Sequence, residues 1–201
     1  MKKLVPNGTV LIPADAVCTY EGVLFDAYQW QQEMFDGSHR TFENLRRADT
    51  VVVFVCIDDQ LVLLRDEQPH VGVRMRAPAG RVDYRDASTL NAAKREVKEE
   101  TGLEFSEWKL IGISKPATKI EHFIYRYVAS GLLSEGTQKV DENGERIELL
   151  RESFENAKLM LDTEELIFEH GFLSDFSSID ELLAAPEFEG TLVDIPTKVE
   201  K

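Results

Sequence analysis

Between Ala77 and Leu103 the chain reads APAGRVDYRDASTLNAAKREVKEETGL. Four residues near its end carry chemistry: Arg95, Glu96, Glu99 and Glu100. On a helix turning about 100° per residue, Glu96 and Glu100 lie roughly 40° apart, and Glu99 lies about 60° to the other side of Glu96. All three share one face. Like charges at this spacing cost roughly 0.2–0.5 kcal/mol per pair, which Lys94 and Lys98 offset only in part. Such a face is either a solvated acidic stripe or an oxygen-rich seat for Mg²⁺ or Mn²⁺. The preceding Pro78-Ala79-Gly80 favours the second. Gly80 has no Cβ, so backbone can approach an ion or a phosphate closely, and the carbonyl of Ala79 can serve as a ligand. Such a seat would hold a divalent ion beside phosphate oxygens, which are among the oxygen ligands these ions favour.

Several elements must hold that stretch. Thr50–Ile57 (TVVVFVCI) is a continuous β-branched run, expected as a central strand buried on both faces. Asp58-Asp59 turns the chain into LVLLR, and VGVRMRAP is a third strand ending at Pro78. The helix follows over Leu90–Glu100, with Leu90, Ala93, Val97 and Thr101 on its packing face and Gly102 as its stop. WKLIGIS and HFIYRYVA are two further strands. A polar loop runs between Ala129 and Ile147, and loops of that length in compact domains are usually functional or disordered. The C-terminal third is expected to be helical: residues 154–161 capped by Ser153, EELIFEH after Thr163, and IDELLAAPEF after Ser178, cut by Pro186. TLVDIPTKVEK is expected as a loose tail.

Residues 14–47 read as antiparallel β structure. ADAVCTY and VLFDAYQW flank Glu21-Gly22, and QQEMF and RTFENL flank Asp36-Gly37-Ser38-His39. So small a sheet is marginal alone and needs a second surface, on the main domain or on another subunit. The expected organisation is therefore an N-terminal β extension over 1–47 and a main α/β domain over 48–201.

Composition bounds the function. In 201 residues, 43% are hydrophobic and 30% charged, ordinary for a chain with a proper core. The formal net charge of −14 opposes nucleic-acid binding, and it repels a small anionic substrate unless a cation mediates. No apolar run approaches the length of a membrane span, and Pro6-Asn7-Gly8 breaks any signal-like segment, so the expected location is the cytoplasm. Cys18 and Cys56 both sit in apolar runs and are expected to be buried reduced thiols.

The stretch resembles the Nudix box, G-x5-E-x7-R-E-U-x-E-E-x-G-U, in which U is a bulky aliphatic residue. REVKEETGL, Arg95 to Leu103, matches its second half fully, and Gly80 supplies the opening glycine. Asp86 stands where the box has glutamate, and one extra residue lies in the Ala87-Ser88-Thr89 segment. The insertion precedes the helix and leaves the helical spacing unchanged. With the N-terminal β segment and the PAG before the box, the chain is most similar to the ADP-ribose and nucleoside-diphosphate-sugar pyrophosphatases.

That resemblance implies an α/β/α sandwich with a mixed sheet and a homodimer whose N-terminal sheets exchange. It implies hydrolysis of the pyrophosphate bond in a nucleoside diphosphate linked to a group X. ADP-ribose, giving AMP and ribose 5-phosphate, is the leading case. The alternatives are a GDP- or UDP-sugar, an oxidised nucleoside triphosphate, or a nucleotide sensor that does not cut. Glu96 and Glu100 are then principal metal ligands, Glu99 assists, and the Ala79 carbonyl joins them. Arg95 orients the cluster, and a later-loop glutamate, Glu145 before Glu142, acts as base. For the substrate's ends the residues are Tyr28 and Trp30, on one strand face; Arg74 and Arg76, on another, with Arg65 as an alternative; and Glu121. Tyr28 and Trp30 can equally be core aromatics, the arginines surface ion pairs, Glu121 an exposed strand-end charge and His122 a partly buried histidine.

Overall fold

The computed structural model describes residues 2–69, 72–138, 146–163 and 171–194, with backbone alone for 161–163. The expected helix over 164–170, the loop glutamates Glu142 and Glu145 and the tail beyond Asp194 lie outside the described residues. The chain divides into two compact units: one holds the segment up to Asp49, Ile113–Ile124 and the segment from Glu189, and the other holds Thr50–Gly112 and Tyr125–Phe188.

The larger unit is built on a mixed sheet. Its strands are β5 (Thr50–Ile57), β6 (Gln60–Gln68), β7 (Gly72–Arg76), β8 (Ala79–Arg81), β9 (Leu103–Ser114), β11 (Ile124–Glu135) and β12 (Arg146–Ser153). The order is β12-β6-β5-β11-β9, with β7 added to β6 and β8 to β5. Every residue of β5 is buried, as a β-branched run with no polar face requires. Asp58, at φ 50°, makes the turn into β6. β5 and β6 pair only next to that turn, from Ile57↔Gln60 to Val55↔Val62. Beyond it they part, and the next strand enters the gap. β7 pairs with β6 from Leu64↔Arg76 to Gln68↔Gly72, and β8 pairs with β5 from Val52↔Ala79 to Thr50↔Arg81. The expected single strand through Pro78 is therefore two. Pro78 has no N–H to donate to a ladder, and its carbonyl accepts from Val53 N at 2.8 Å.

Helix α1 spans Thr89–Thr101. Ser88 caps it through a bond from Asn91 N to Ser88 Oγ of 3.1 Å. Gly102, at φ 74°, ends it by donating to Lys98 O, a conformation glycine adopts at no steric cost. Ala92, Ala93, Val97 and Thr101 are its buried stripe, packed toward β5 and β8. Leu90 is only half-buried, and Ala92 takes its expected place. α2 (Phe154–Thr163) follows β12. Ser178 caps α3 (Ile179–Ala184), which stops before Pro186. Phe172, ahead of a 3-10 turn at Leu173–Asp175, stacks on Phe54 of β5 with ring centroids 5.6 Å apart.

The smaller unit has two sheets. β2 (Val17–Glu21), β3 (Asp26–Glu33) and β4 (His39–Arg46) form the expected meander. A short β10 (Ile120–Glu121) joins β4 in parallel and completes the order β10-β4-β3-β2. The expectation of a loose tail fails at its start. Thr191–Asp194 is a strand, β13, antiparallel to β1 (Lys2–Val5), with Lys2↔Asp194 and Val5↔Thr191 in register. Each is only four residues, and its partner is at the other end of the chain, so local pattern could not reveal the pair. Cys56 is buried, and burial pushes its thiol up to about 12. Cys18 is only half-buried, because β2 is an edge strand.

Candidate active site

The centre of the site is Arg95. Its Nε donates to Asp86 Oδ1 at 3.1 Å and Nη2 to Asp86 Oδ2 at 2.8 Å, a bidentate pair. Nη2 also reaches Arg81 O at 3.0 Å, and Nη1 donates to Glu96 Oε1 at 2.7 Å and Glu99 Oε2 at 3.2 Å. One planar guanidinium thus ties the loop before α1, strand β8 and two helical carboxylates together. Asp86 is the residue standing where the box has glutamate. It is buried, and Oδ2 also accepts from Asp83 N at 2.8 Å, closing the loop with the extra residue into a turn. The shorter acid therefore still meets the arginine.

Glu100 is held from the other side. Arg76 Nη2 donates to Glu100 Oε1 at 2.7 Å, and Ala79 N donates to Oε2 at 3.0 Å. Arg76 Nε in turn donates to Asp66 Oδ2 at 2.8 Å, which also accepts from Gln68 Nε2 at 3.1 Å. The split of β5 from β6 makes this possible, since it brings β7 and β8 together beneath α1. Gly80 leaves room there: a Cβ on it would overlap the carboxylate of Glu96 and displace it.

Two guanidiniums face five carboxylates: Asp66, Asp86, Glu96, Glu99 and Glu100. Hydrogen bonds from Arg95 are the main reason Asp86 sits below the usual carboxylate range. Glu96 and Glu100 do not share that relief. Burial raises Glu96, Arg95 opposes it, and Glu99 and Asp86 add to it. Burial pushes Glu100 up to about 7 against the pull of Arg76 and the Ala79 N–H, with Glu96 adding to the rise. Such upward shifts mark buried carboxylates short of positive charge.

A hard divalent cation fits that deficit. All the side-chain donors are carboxylate oxygens, and the glycine leaves room where backbone must come close. As they stand, no three of the described acidic, histidine or cysteine residues form a group that could hold an ion. Glu96 and Glu99 are turned onto Arg95, and Glu100 onto Arg76. Lys98 pairs with Glu104, outside the cluster, and Lys94 lies over the Trp108 ring with its Nζ 5.8 Å from the centroid.

The structure brings together Ala79, Arg95, Glu96, Glu99 and Glu100, and adds Arg76 as a partner of Glu100. Arg74 is on β7 but exposed, and Arg65 pairs with exposed Glu148 at 3.6 Å. Tyr28 and Trp30 belong to the smaller unit. Arg46 lies 4.6 Å over the Tyr28 ring; Trp30 packs on Phe42 and donates to Gln32 Oε1 at 3.0 Å. Glu121 is not an exposed strand-end charge; it is 2% exposed and accepts from Arg46 Nε at 2.7 Å and Ile12 N at 2.6 Å. With both oxygens so committed, it has no face for a substrate. His122 is buried, and its Nδ1 is 2.8 Å from Ala48 O. Asp66 is the site residue that sequence reasoning missed. Its signal was weak: a single acid on the face it shares with Val62 and Leu64, opposite Arg74 and diagonal to Arg76.

The candidate site is thus an arginine-braced carboxylate face of α1 set against Gly80 of β8 in an α/β fold. The model of the NUDIX domain matches residues 46–176, and the chain belongs to the Nudix hydrolase family. A solved structure described as "Crystal structure of ADP compounds hydrolase" shares the fold. Its TM-score is 0.60 at 19% sequence identity, over 86% of this chain and 88% of that one. Comparison with curated proteins gave no match.

Proposed function

We propose that the protein hydrolyses the pyrophosphate bond of a nucleoside diphosphate linked to a group X, with ADP-ribose, cut to AMP and ribose 5-phosphate, as the first choice. The observation that carries this reading is the surplus of carboxylate on α1 around Arg95 and Arg76. Glu96, Glu99 and Glu100, with the Ala79 carbonyl, would hold Mg²⁺ or Mn²⁺. The ion supplies neutralisation of the diphosphate and activation of water. Arg95 keeps Glu96 and Glu99 on one side of the helix and fixes them to Asp86 and β8. The proton acceptor in this reading is Glu145, or Glu142, both outside the described residues. The neighbour described as an ADP compounds hydrolase supports the adenine diphosphate class over the GDP- and UDP-sugar alternatives.

A homodimer through residues 14–47 belongs to the same reading. The smaller unit leaves Val17, Tyr20, Val23, Leu24 and Phe35 exposed, apolar side chains that a second copy can cover. The expected location remains the cytoplasm; no described helix is long and apolar enough to cross a membrane.

The test is a panel of ADP-ribose, GDP- and UDP-sugars and oxidised nucleoside triphosphates with Mg²⁺ or Mn²⁺, run beside Glu100→Gln. Hydrolysis of none, or equal rates for the variant, removes the catalytic reading. Sedimentation at micromolar concentration checks the dimer, and a monomer there counts against it.

A further inference from the structure

Two departures from the box meet at one hydrogen-bonded corner. Asp86 stands where the box has the longer glutamate, and one more residue separates it from Arg95 than the box has there. Asp86 is 7% exposed, and both its carboxylate oxygens accept. Oδ1 takes Arg95 Nε at 3.1 Å, and Oδ2 takes Arg95 Nη2 and Asp83 N, each at 2.8 Å. The backbone closes the same turn, with Asp86 N donating to Asp83 O at 3.0 Å. Arg95 is fixed from its other sides by Arg81 O on β8 and by Glu96 and Glu99 on α1. A side chain longer by one C–C bond, about 1.5 Å, overruns donors that already meet the shorter one. On the helix side, Ser88 is committed as the cap of α1, and Thr89 Oγ1 is bonded to Tyr127 OH at 2.7 Å. Exposed Ala87 is the joint between the Asp83–Asp86 turn and the helix.

We propose that the shorter acid and the extra residue compensate each other: the slack that Ala87 adds lets the backbone turn inward, so that an aspartate positions Arg95. Asp86 is a positioning residue. Its carboxylate sets the plane of the guanidinium, whose Nη1 holds Glu96 at 2.7 Å and Glu99 at 3.2 Å. Neither departure works alone. Glutamate at position 86 with Ala87 present pushes the guanidinium out of place, and aspartate without Ala87 falls short of it. Both changes together restore the spacing of the box and, with it, the pairing. The consequence for metal binding rests on the reading of Glu96 and Glu99 as ligands given above; the consequence for Arg95 does not.

The test uses the full chain without substrate, with Asp86→Glu, deletion of Ala87 and the two combined, beside Glu100→Gln. Two signals are read. One is the ¹H–¹⁵N resonance of the Arg95 Nε–H, assigned by its absence in Arg95→Lys. The other is Mn²⁺ affinity, from the electron paramagnetic resonance of free Mn²⁺. Each single change is expected to shift or broaden the Nε–H resonance and to weaken Mn²⁺ binding about tenfold, the scale of lost outer partners at metal sites. The combined variant is expected to return both signals to wild type. Two independent structural defects would add and give no such rescue. A single change that leaves the resonance in place, or a combined variant no nearer wild type than the singles, overturns the coupling. Mn²⁺ affinity unchanged in both singles, while Glu100→Gln weakens it, overturns the positioning role. Where a single change prevents folding by circular dichroism, the combined variant decides, and one that does not fold overturns the coupling. If the resonance follows the coupling while Glu100→Gln binds Mn²⁺ like wild type, the metal reading fails and the coupling stands.

Discussion

Arginines hold glutamates in both units of this chain, to opposite ends. In the smaller unit Arg46 meets Glu121, whose other oxygen takes the Ile12 N–H. Both carboxylate oxygens are satisfied, the Arg46 guanidinium lies over the Tyr28 ring, and Glu121, at the end of β10, is 2% exposed. In the larger unit Arg95 and Arg76 face five carboxylates, two of which burial raises for want of positive charge. The first arrangement is complete and holds the fold. The second holds more carboxylates than guanidiniums, and the proposed cation would supply the balancing charge. Burial alone does not distinguish them: Glu121 is the more deeply buried. What separates structural from chemical carboxylates here is whether the protein supplies enough donors.

The sharpest way to break that comparison is Glu100→Gln. Activity should fall by more than roughly hundredfold, beyond the range for lost outer partners, with the thermal midpoint near wild type. A steady-state assay beside a melting curve checks it. Gly80→Ala should come next. Its backbone is not in the left-handed region, so the fold should tolerate alanine, but the new Cβ displaces the Glu96 carboxylate. Loss of activity with intact circular dichroism is the expected outcome, and full activity would show that Glu96 does not need its observed position.

Glu121→Gln should show the reverse pattern. Breaking a buried ion pair costs about 3 kcal/mol, read as a lower denaturant midpoint, while kcat per folded molecule stays within about twofold. A large kcat loss without destabilisation would erase the contrast between the two sites.

A smaller effect concerns pH. Burial, helped by nearby Arg47 and Lys3 and opposed by its bond to Ala48, lowers His122 to about 4 from 6.5. The folded state therefore resists the proton that the unfolded chain accepts. Stability from neutral His122 is full above about pH 6.5 and lost as pH falls toward about 4, on the order of 2–3 kcal/mol. Urea titrations from pH 7.5 to 4.5 should show that slope, flattened in His122→Gln. Gly102→Ala forces alanine to φ 74°, at about 1–2 kcal/mol, and puts its Cβ 2.5 Å from Gly136 O, so the loss of stability in a melting curve should exceed that figure. Its activity should survive wherever α1 remains folded.

Much of the larger unit was legible because its signals are local. An unbroken β-branched run has only one comfortable place, the buried middle of a sheet, and β5 is there. The spacing of Glu96, Glu99 and Glu100 and the stop at Gly102 fix α1 within a residue or two through helical period and its C-terminal cap; the Ser88 cap emerged only from the structure. The split between β7 and β8 was not legible, because Pro78 reads as a strand end and equally permits a crossing from one neighbour to another. Cys18 looked buried from its apolar run, but edge position depends on what pairs beyond it.

The family was read from the resemblance of Arg95 to Leu103 to the Nudix box; the helix, its carboxylate face and the glycine opposite were determined by the sequence itself. These depend on period and on single-residue conformational limits, which act over a few positions. Only the tertiary structure decided that β13 returns to β1, that Glu121 is a sealed structural acid, and that Asp66 and Arg76 stand behind Glu100. Those outcomes depend on which distant segments share a surface. A carboxylate's role follows from the donors that surround it in space, and its neighbours in sequence do not specify them.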